Sequence, residues 1–159
     1  MNIALHKHGR LALWIATYLC VGWIIGRMTN DDVQGWYRTL EKPALNPPDI
    51  VFPLVWTTLY VMIAIAGYKL FEHRKSPTGK TCCTLFVIQT ILNWLWSFVF
   101  FEWHLLGLAF GWILVMVVLV AALILKASGH VRIAAYLLVP YLFWIAFASY
   151  LSGSIWLLN

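Results

Sequence analysis

The sequence predicts an all-α integral membrane protein: a bundle of five transmembrane helices with a long loop between the first and second. Three observations carry this reading: a surplus of apolar residues, the spacing of the charges, and the uneven division of those charges between the two ends. Hydrophobic residues make up 62% of the chain and charged residues 11%, against about 45–50% and about 25% in soluble domains. With 159 residues, a water-facing globule cannot hide that surplus, because most of so small a fold lies near its surface. The outer face must meet lipid, and residues 1–159 read as a single transmembrane domain.

The charges bracket runs of helix length. Sixteen uncharged residues separate Arg10 from Arg27, nineteen Asp49 from Lys69, twenty-one Lys80 from Glu102 and twenty-three Glu102 from Lys126. No charge follows Arg132. A span takes roughly 20 residues, usually about 17–25. The first run is short, but its flanking arginines can snorkel. It lacks a small-residue cleavage site, Cys20-Val21-Gly22 being a poor match, so it reads as a retained helix and not a signal peptide. Lipid leaves no backbone group unpaired, which limits the spans to helices or barrel strands. These runs are too long and too continuously apolar for alternating strands of about ten residues. The predicted helices are 9–27, 50–71, 81–101, 104–126 and 133–157.

Five spans place the N-terminus with the second and fourth connections. That side holds Lys7, Arg10, Lys69, Arg74, Lys75, Lys80, Lys126 and Arg132, eight of the eleven basic residues. The opposite side holds Arg27, Arg38 and Lys42 with five of the six acids: Asp31, Asp32, Glu41, Asp49 and Glu102. The positive-inside rule then predicts a cytoplasmic N-terminus and an external C-terminus. The net charge of +5 reads as a topology signal and a contact with anionic membrane lipid, not as nucleic-acid binding. His6-Lys7-His8 reads as a solvated basic tail, with no metal site. Cys20 falls within a span and Cys82 and Cys83 at the start of another, and no pair faces the oxidising side, so no disulfide is predicted.

Met28 to Pro48 forms the longest connection, and long loops in compact folds are functional or disordered. Trp36, Tyr37, Leu40 and Leu45 give this one residues to pack with, and Gly35–Leu40 reads as a helical turn. Pro43, Pro47 and Pro48 then stiffen the chain by fixing φ and extending their predecessors. Pro53 belongs to the first turn of the second helix. A stiff aromatic segment of this kind reads as a lid over the outer end of the bundle.

The ten tryptophans divide in two groups. Trp14, Trp23, Trp103 and Trp156 fall near predicted interfaces, where indoles anchor, and Trp36 lies in the lid. Trp56, Trp94, Trp96, Trp112 and Trp144 lie deeper, where an indole N–H needs a partner; about half of these are expected to face lipid. Gln89, Asn93 and Ser97 recur every fourth residue and share a helix face, either as interhelical hydrogen-bond glue or as ligand contacts. Ser149 and Ser152 are weaker candidates, since serine often bonds its own helix backbone. Gly22 with Gly26, and Gly107 with Gly111, form GxxxG pairs that permit close helix approach within the bundle or in a homodimer.

Several segments together resemble a known family. Trp36-Tyr37-Arg38-Thr39-Leu40-Glu41-Lys42-Pro43, Asn46-Pro47-Pro48 and Phe52-Pro53-Leu54-Val55-Trp56-Thr57 resemble the first loop and second helix of the tryptophan-rich sensory protein, or translocator protein, family. Asn93, Trp94, Trp96 and Phe100 are similar to its third helix, and Pro140 to Leu151 to its fifth. The resemblance implies a receptor or sensor that binds tetrapyrroles such as protoporphyrin IX and haem, and benzodiazepine-type or isoquinoline ligands, in a pocket between the helices under the first loop, and so regulates tetrapyrrole metabolism or a stress response. No cofactor is required. Matching ligand positions are Tyr37, Pro47, Phe52, Trp56, Tyr60, Asn93, Trp96, Ser97, Trp144 and Ala148. With no histidine inside a span, haem would be held by stacking and not by axial ligation. Two further activities follow from the resemblance: light- and oxygen-dependent degradation of porphyrin, with Trp56 and Trp144 as catalytic residues placed to bracket one macrocycle, or transport of porphyrin or sterol. No span carries the buried charge that marks a coupling-ion path. The sterol motif of animal members needs a basic residue after Tyr150, and none follows; this departure fits a bacterial inner-membrane protein.

Overall fold

The computed structural model describes residues 2–159, with side chains from Lys7 onward; the His6 side chain of the basic tail lies outside the described residues. Seven α-helices follow in order: α1 (Asn2–Met28), α2 (Asn30–Gln34), α3 (Trp36–Thr39), α4 (Val51–Glu72), α5 (Pro77–Ser97), α6 (Leu106–Ser128) and α7 (Arg132–Leu158). A π-helical turn, Phe98–Glu102, prolongs α5. Five segments of 22 to 27 residues are long and apolar enough to cross a membrane, since a rise of 1.5 Å per residue carries about 20 residues through a hydrocarbon core of about 30 Å. The chain is a multi-pass integral membrane protein, and the five spans coincide with the predicted ones apart from their ends.

The ends have local causes. Around the bundle α1 lies against α4, α4 against α7, α7 against α6 and α6 against α5, with only thin contact from α5 back to α1. The predicted tail is part of α1, and Lys7 Nζ reaches Glu72 Oε1 at 3.3 Å. Glu72 is the one acid at that end and is also met by Lys69 at 3.2 Å. α5 begins four residues before the predicted start because Ser76 caps it: Ser76 Oγ accepts from the Gly79 N–H at 3.0 Å and Pro77 occupies the first helical position. Pro140 lies inside α7, where it removes one backbone donor. The lid is more helical than predicted, with α2 preceding the expected turn at α3.

Two buried clusters form the interior. The larger runs through the bundle and includes Leu59, Ile63, Met116, Val120, Leu123, Leu138, Tyr141 and Ile145. The smaller sits at the lid end and joins Tyr37 to Val99, Phe100, Ala109 and Ile155. Close approach of α1 to α4 depends on Gly22, where a Cβ would collide with the Tyr60 ring, and on Gly67, where it would meet Trp14 and Phe86. Trp14 is therefore a packing residue and not an interface anchor: it lies 6.4 Å from Tyr18 in a stacked arrangement and 6.2 Å from Phe86. Trp23, Trp103 and Trp156 are exposed, as anchors would be. Gly26 and Gly111 face open space, so each GxxxG pair uses one glycine at most inside the bundle.

Candidate ligand-binding site

The deep tryptophans all turn inward. Trp56, Trp94, Trp96, Trp112 and Trp144 are half-buried and pack against the main core, so the expectation that about half face lipid is corrected. Each large ring finds a helix–helix groove, and none occupies an outward position on its helix.

On α4 and α7 the aromatics meet in a corner. Trp56 and Trp144 have ring centroids 6.5 Å apart at an interplanar angle of 89°. Phe52 lies edge-on to Trp144 at 5.9 Å, and Trp56 contacts Tyr60 at 5.5 Å and Tyr141 at 6.4 Å. Because α4 and α7 pack directly, no gap for a flat macrocycle remains between the two indoles. They form two adjoining walls and do not bracket one ring. Beside them Asn93 spans three helices: its Oδ1 accepts from Tyr60 Oη at 3.3 Å, and its Nδ2 donates to Tyr141 Oη at 3.1 Å. A second polar pair lies one turn away on α5, where Thr90 Oγ1 meets Tyr18 Oη at 2.8 Å and accepts from Gln89 Nε2 at 2.9 Å. The expected polar stripe thus supplies interhelical bonds at Asn93. Gln89 shares the face and bonds only Thr90, while Ser97 ends α5 half-buried.

Several buried polar atoms have no partner. Among the described residues these are Gln89 Oε1, Trp94 Nε1, Trp144 Nε1 and Ser152 Oγ. An unpaired donor in an apolar interior costs about 1–3 kcal/mol, and such groups in native folds call for an explanation. The indoles of Trp96 and Trp112 behave differently, donating to the Ala109 carbonyl at 2.9 Å and the Leu92 carbonyl at 3.1 Å. Ser149 bonds its own helix at the Ala146 carbonyl, as expected, and Ser152 does not. Trp144 also lines a groove of about 800 Å³ between α4 and α7, with Pro140, Phe143 and Phe147. Trp94 lines another of about 340 Å³ between α1 and α5.

The remaining predicted residues fall into a second group at the lid end. Tyr37 packs edge-on to Phe100 at 6.1 Å and Phe101 at 5.5 Å. Its Oη donates to Asn46 Oδ1 at 3.3 Å, and Asn46 Nδ2 donates to the Pro47 carbonyl at 3.2 Å. Burial, and secondarily the Asp49 carboxylate, hold the Tyr37 phenol above its ordinary pKa, so it remains a neutral donor at physiological pH. Lys42 Nζ sits 4.6 Å over the Tyr37 ring. Trp96 stacks on Phe100 at 5.0 Å and belongs to this group. Phe52, Trp56, Tyr60, Asn93 and Trp144 are therefore brought together, Ala148 lies half-buried one turn beyond Trp144, and Tyr37, Pro47 and Trp96 form a separate layer. Tyr18 and Tyr141 complete the polar core. Tyr141 sits three residues before Trp144 on the same face, a spacing that marks it in the sequence, and Tyr18 stands four before Gly22.

The chain is similar to known proteins along most of its length. A profile described as the TspO/MBR family matches residues 14–157. The chain is 38% identical over 155 residues to the tryptophan-rich protein TspO of Chlorobaculum tepidum, covering 94% of this chain and 95% of that one. It is 37% identical over 152 residues to the protein of the same name from Archaeoglobus fulgidus, covering 94% and 97%. To the human translocator protein it is 34% identical over 143 residues, covering 86% and 82%.

Proposed function

Because the chain belongs to the TspO/MBR family, we propose that it is a membrane receptor for tetrapyrroles such as protoporphyrin IX and haem, which it holds against the Trp56–Trp144 corner beneath the lid. The observation that carries this reading is the Trp144 indole N–H, buried and without a partner inside an aromatic wall. A flat, mostly apolar macrocycle needs aromatic surface for its face and a few oriented polar groups for its rim. The free indole donor suits a carboxylate or carbonyl on that rim. Asn93, fixed by Tyr60 and Tyr141, offers its second amide hydrogen nearby. Isoquinoline or benzodiazepine-type ligands use the same apolar walls and one acceptor. The basic end of the bundle faces the cytoplasm of a bacterial inner membrane in this reading, with the lid outside.

Titration of the purified protein with protoporphyrin IX, followed by tryptophan fluorescence, tests the proposal. Saturable binding at one site, weakened by Trp144→Ala in a protein that keeps its helicity, is expected. Non-saturable partitioning that also occurs in empty micelles would refute it. Orientation is tested by an impermeant thiol reagent on intact cells: a cysteine placed at Asn159 is labelled and one at Lys75 is protected, and the reverse pattern would overturn the assignment.

A second reading, light- and oxygen-dependent porphyrin degradation, is favoured by one observation. Oxidisable rings run in contact from Trp144 to Trp56 at 6.5 Å, to Tyr60 at 5.5 Å, to Tyr18 at 6.2 Å and to Trp94 at 5.4 Å. Such a chain can pass an electron toward an oxidised indole beside the macrocycle, with molecular oxygen as the oxidant.

A further inference from the structure

We infer that His104 and Asn159 are positioning residues that clasp the lid to the bundle from two sides, and that opening of this clasp sets how fast a ligand leaves; the second half rests on the receptor reading above. His104 stands at the corner between the π turn and α6. Its φ of 54° is the only positive value at a non-glycine among the described residues, in the left-handed region that histidine enters more readily than most side chains. From there the ring stacks on Trp36, with centroids 3.8 Å apart and planes 20° from parallel. Its Nε2 lies 3.1 Å from Asp32 Oδ1. One side chain therefore holds both short lid helices, α2 through Asp32 and α3 through Trp36.

Asn159 holds the other side. Its Oδ1 accepts from the Glu41 N–H at 3.0 Å, and its Nδ2 donates to the Glu41 carbonyl at 3.1 Å. A single amide thus meets both backbone groups of one residue, as a neighbouring strand would. The same Nδ2 also bonds the Ile155 carbonyl at 2.9 Å, which ties the clasp to the last turn of α7. Between the two clasps lies Tyr37, held over Phe100 and Phe101. Both clasps are open to water, where hydrogen bonds and ion pairs add little to global stability. They can open without disturbing the spans, and local opening of this kind is a property of low-stability segments.

Hydrogen exchange of the full-length protein in lipid nanodiscs, read by mass spectrometry, tests the clasp without any ligand. Asn159→Ala removes both bonds to Glu41. His104→Gly removes the ring while leaving a residue that adopts the left-handed backbone freely. Each is expected to speed exchange across residues 30–45 by about tenfold or more, a factor within the range of local opening, with the five spans unchanged. Asn159→Asp keeps only the acceptor and should fall between. Dissociation of protoporphyrin IX, measured by dilution, should accelerate in both main variants while association changes less. Unchanged lid exchange in both variants overturns the inference whatever porphyrin does. Faster exchange with unchanged dissociation, from a wild type that binds, overturns the gating half. A wild type with no saturable binding removes the receptor reading and gating together, and the exchange result still decides the clasp.

Discussion

α7 faces two neighbours and treats them differently. With α6 it shares a core of aliphatic and small residues, Met116, Val120, Leu123 and Ala127 on one helix and Ala134 and Leu138 on the other, each at most 1% exposed, and aromatic packing enters toward the lid end, where Phe110 stacks on Trp156 at 5.8 Å. Toward α4 the same helix presents Tyr141 and Trp144 to Phe52, Trp56 and Tyr60, and one indole donor is left unpaired. Helices in lipid gain no hydrophobic drive from meeting each other, so the first seam is held by close van der Waals packing. The second departs from that pattern at a cost in stability, and such local violations concentrate at functional sites. The α6–α7 seam is the scaffold, and the α4–α7 seam is the one that the receptor reading assigns to the ligand.

Substitutions separate the two seams, in descending order of effect. Leu138→Ala opens a cavity at the α6–α7 seam and should cost about 2 kcal/mol in stability, read by thermal or denaturant unfolding in detergent, with porphyrin affinity unchanged wherever the protein is folded. An equal loss of affinity at low temperature would erase the distinction. Tyr141→Phe strands the Asn93 Nδ2 donor. Interhelical hydrogen bonds in membranes are worth about 0.6 kcal/mol on average and at most about 1.7, so stability should fall by roughly that amount while porphyrin binding weakens as Asn93 loses its orientation. Tyr37→Ala leaves both seams intact and removes the lid's packing on Phe100 and Phe101; porphyrin affinity should drop roughly threefold to tenfold, up to about 1.4 kcal/mol, with the helicity of the five spans retained. An unchanged dissociation constant removes Tyr37 from the site. Trp144→Phe keeps the apolar wall but loses the free indole donor, and should weaken binding roughly fivefold, about 1 kcal/mol; the smallest change in affinity belongs to Trp56→Phe, which should leave binding within about threefold, under 1 kcal/mol. If the corner degrades porphyrin, those same changes abolish the light-dependent loss of porphyrin absorbance, since phenylalanine is far harder to oxidise than indole.

The spans, the lid and the basic end were legible in the sequence because lipid excludes charge, and charge therefore marks where each helix ends. Facing directions were less so. Trp94 and Trp96 are two residues apart on one helix, yet Trp94 lies against Tyr18 of α1 and Trp96 donates to Ala109 of α6. Hydropathy cannot separate an indole that meets lipid from one that fills a groove, because both surroundings are apolar. The contact between Trp56 and Trp144 depends on the direct packing of α4 on α7, and neither helix announces its neighbour. The clasp was also hidden: His104 and Asn159 act through geometry, a left-handed turn and a terminal amide, that no spacing rule marks.

The central claim is that the Trp144 indole is kept free for a ligand while the Trp96 and Trp112 indoles are spent on the fold. Nitrogen-15 labelling of the tryptophan side chains reads this directly, because each indole N–H gives its own resonance. On addition of protoporphyrin IX the Trp144 signal should move most, while those of Trp96 and Trp112, already bonded to the Ala109 and Leu92 carbonyls, should stay in place. Movement of Trp96 and Trp112 with a stationary Trp144 would contradict the account.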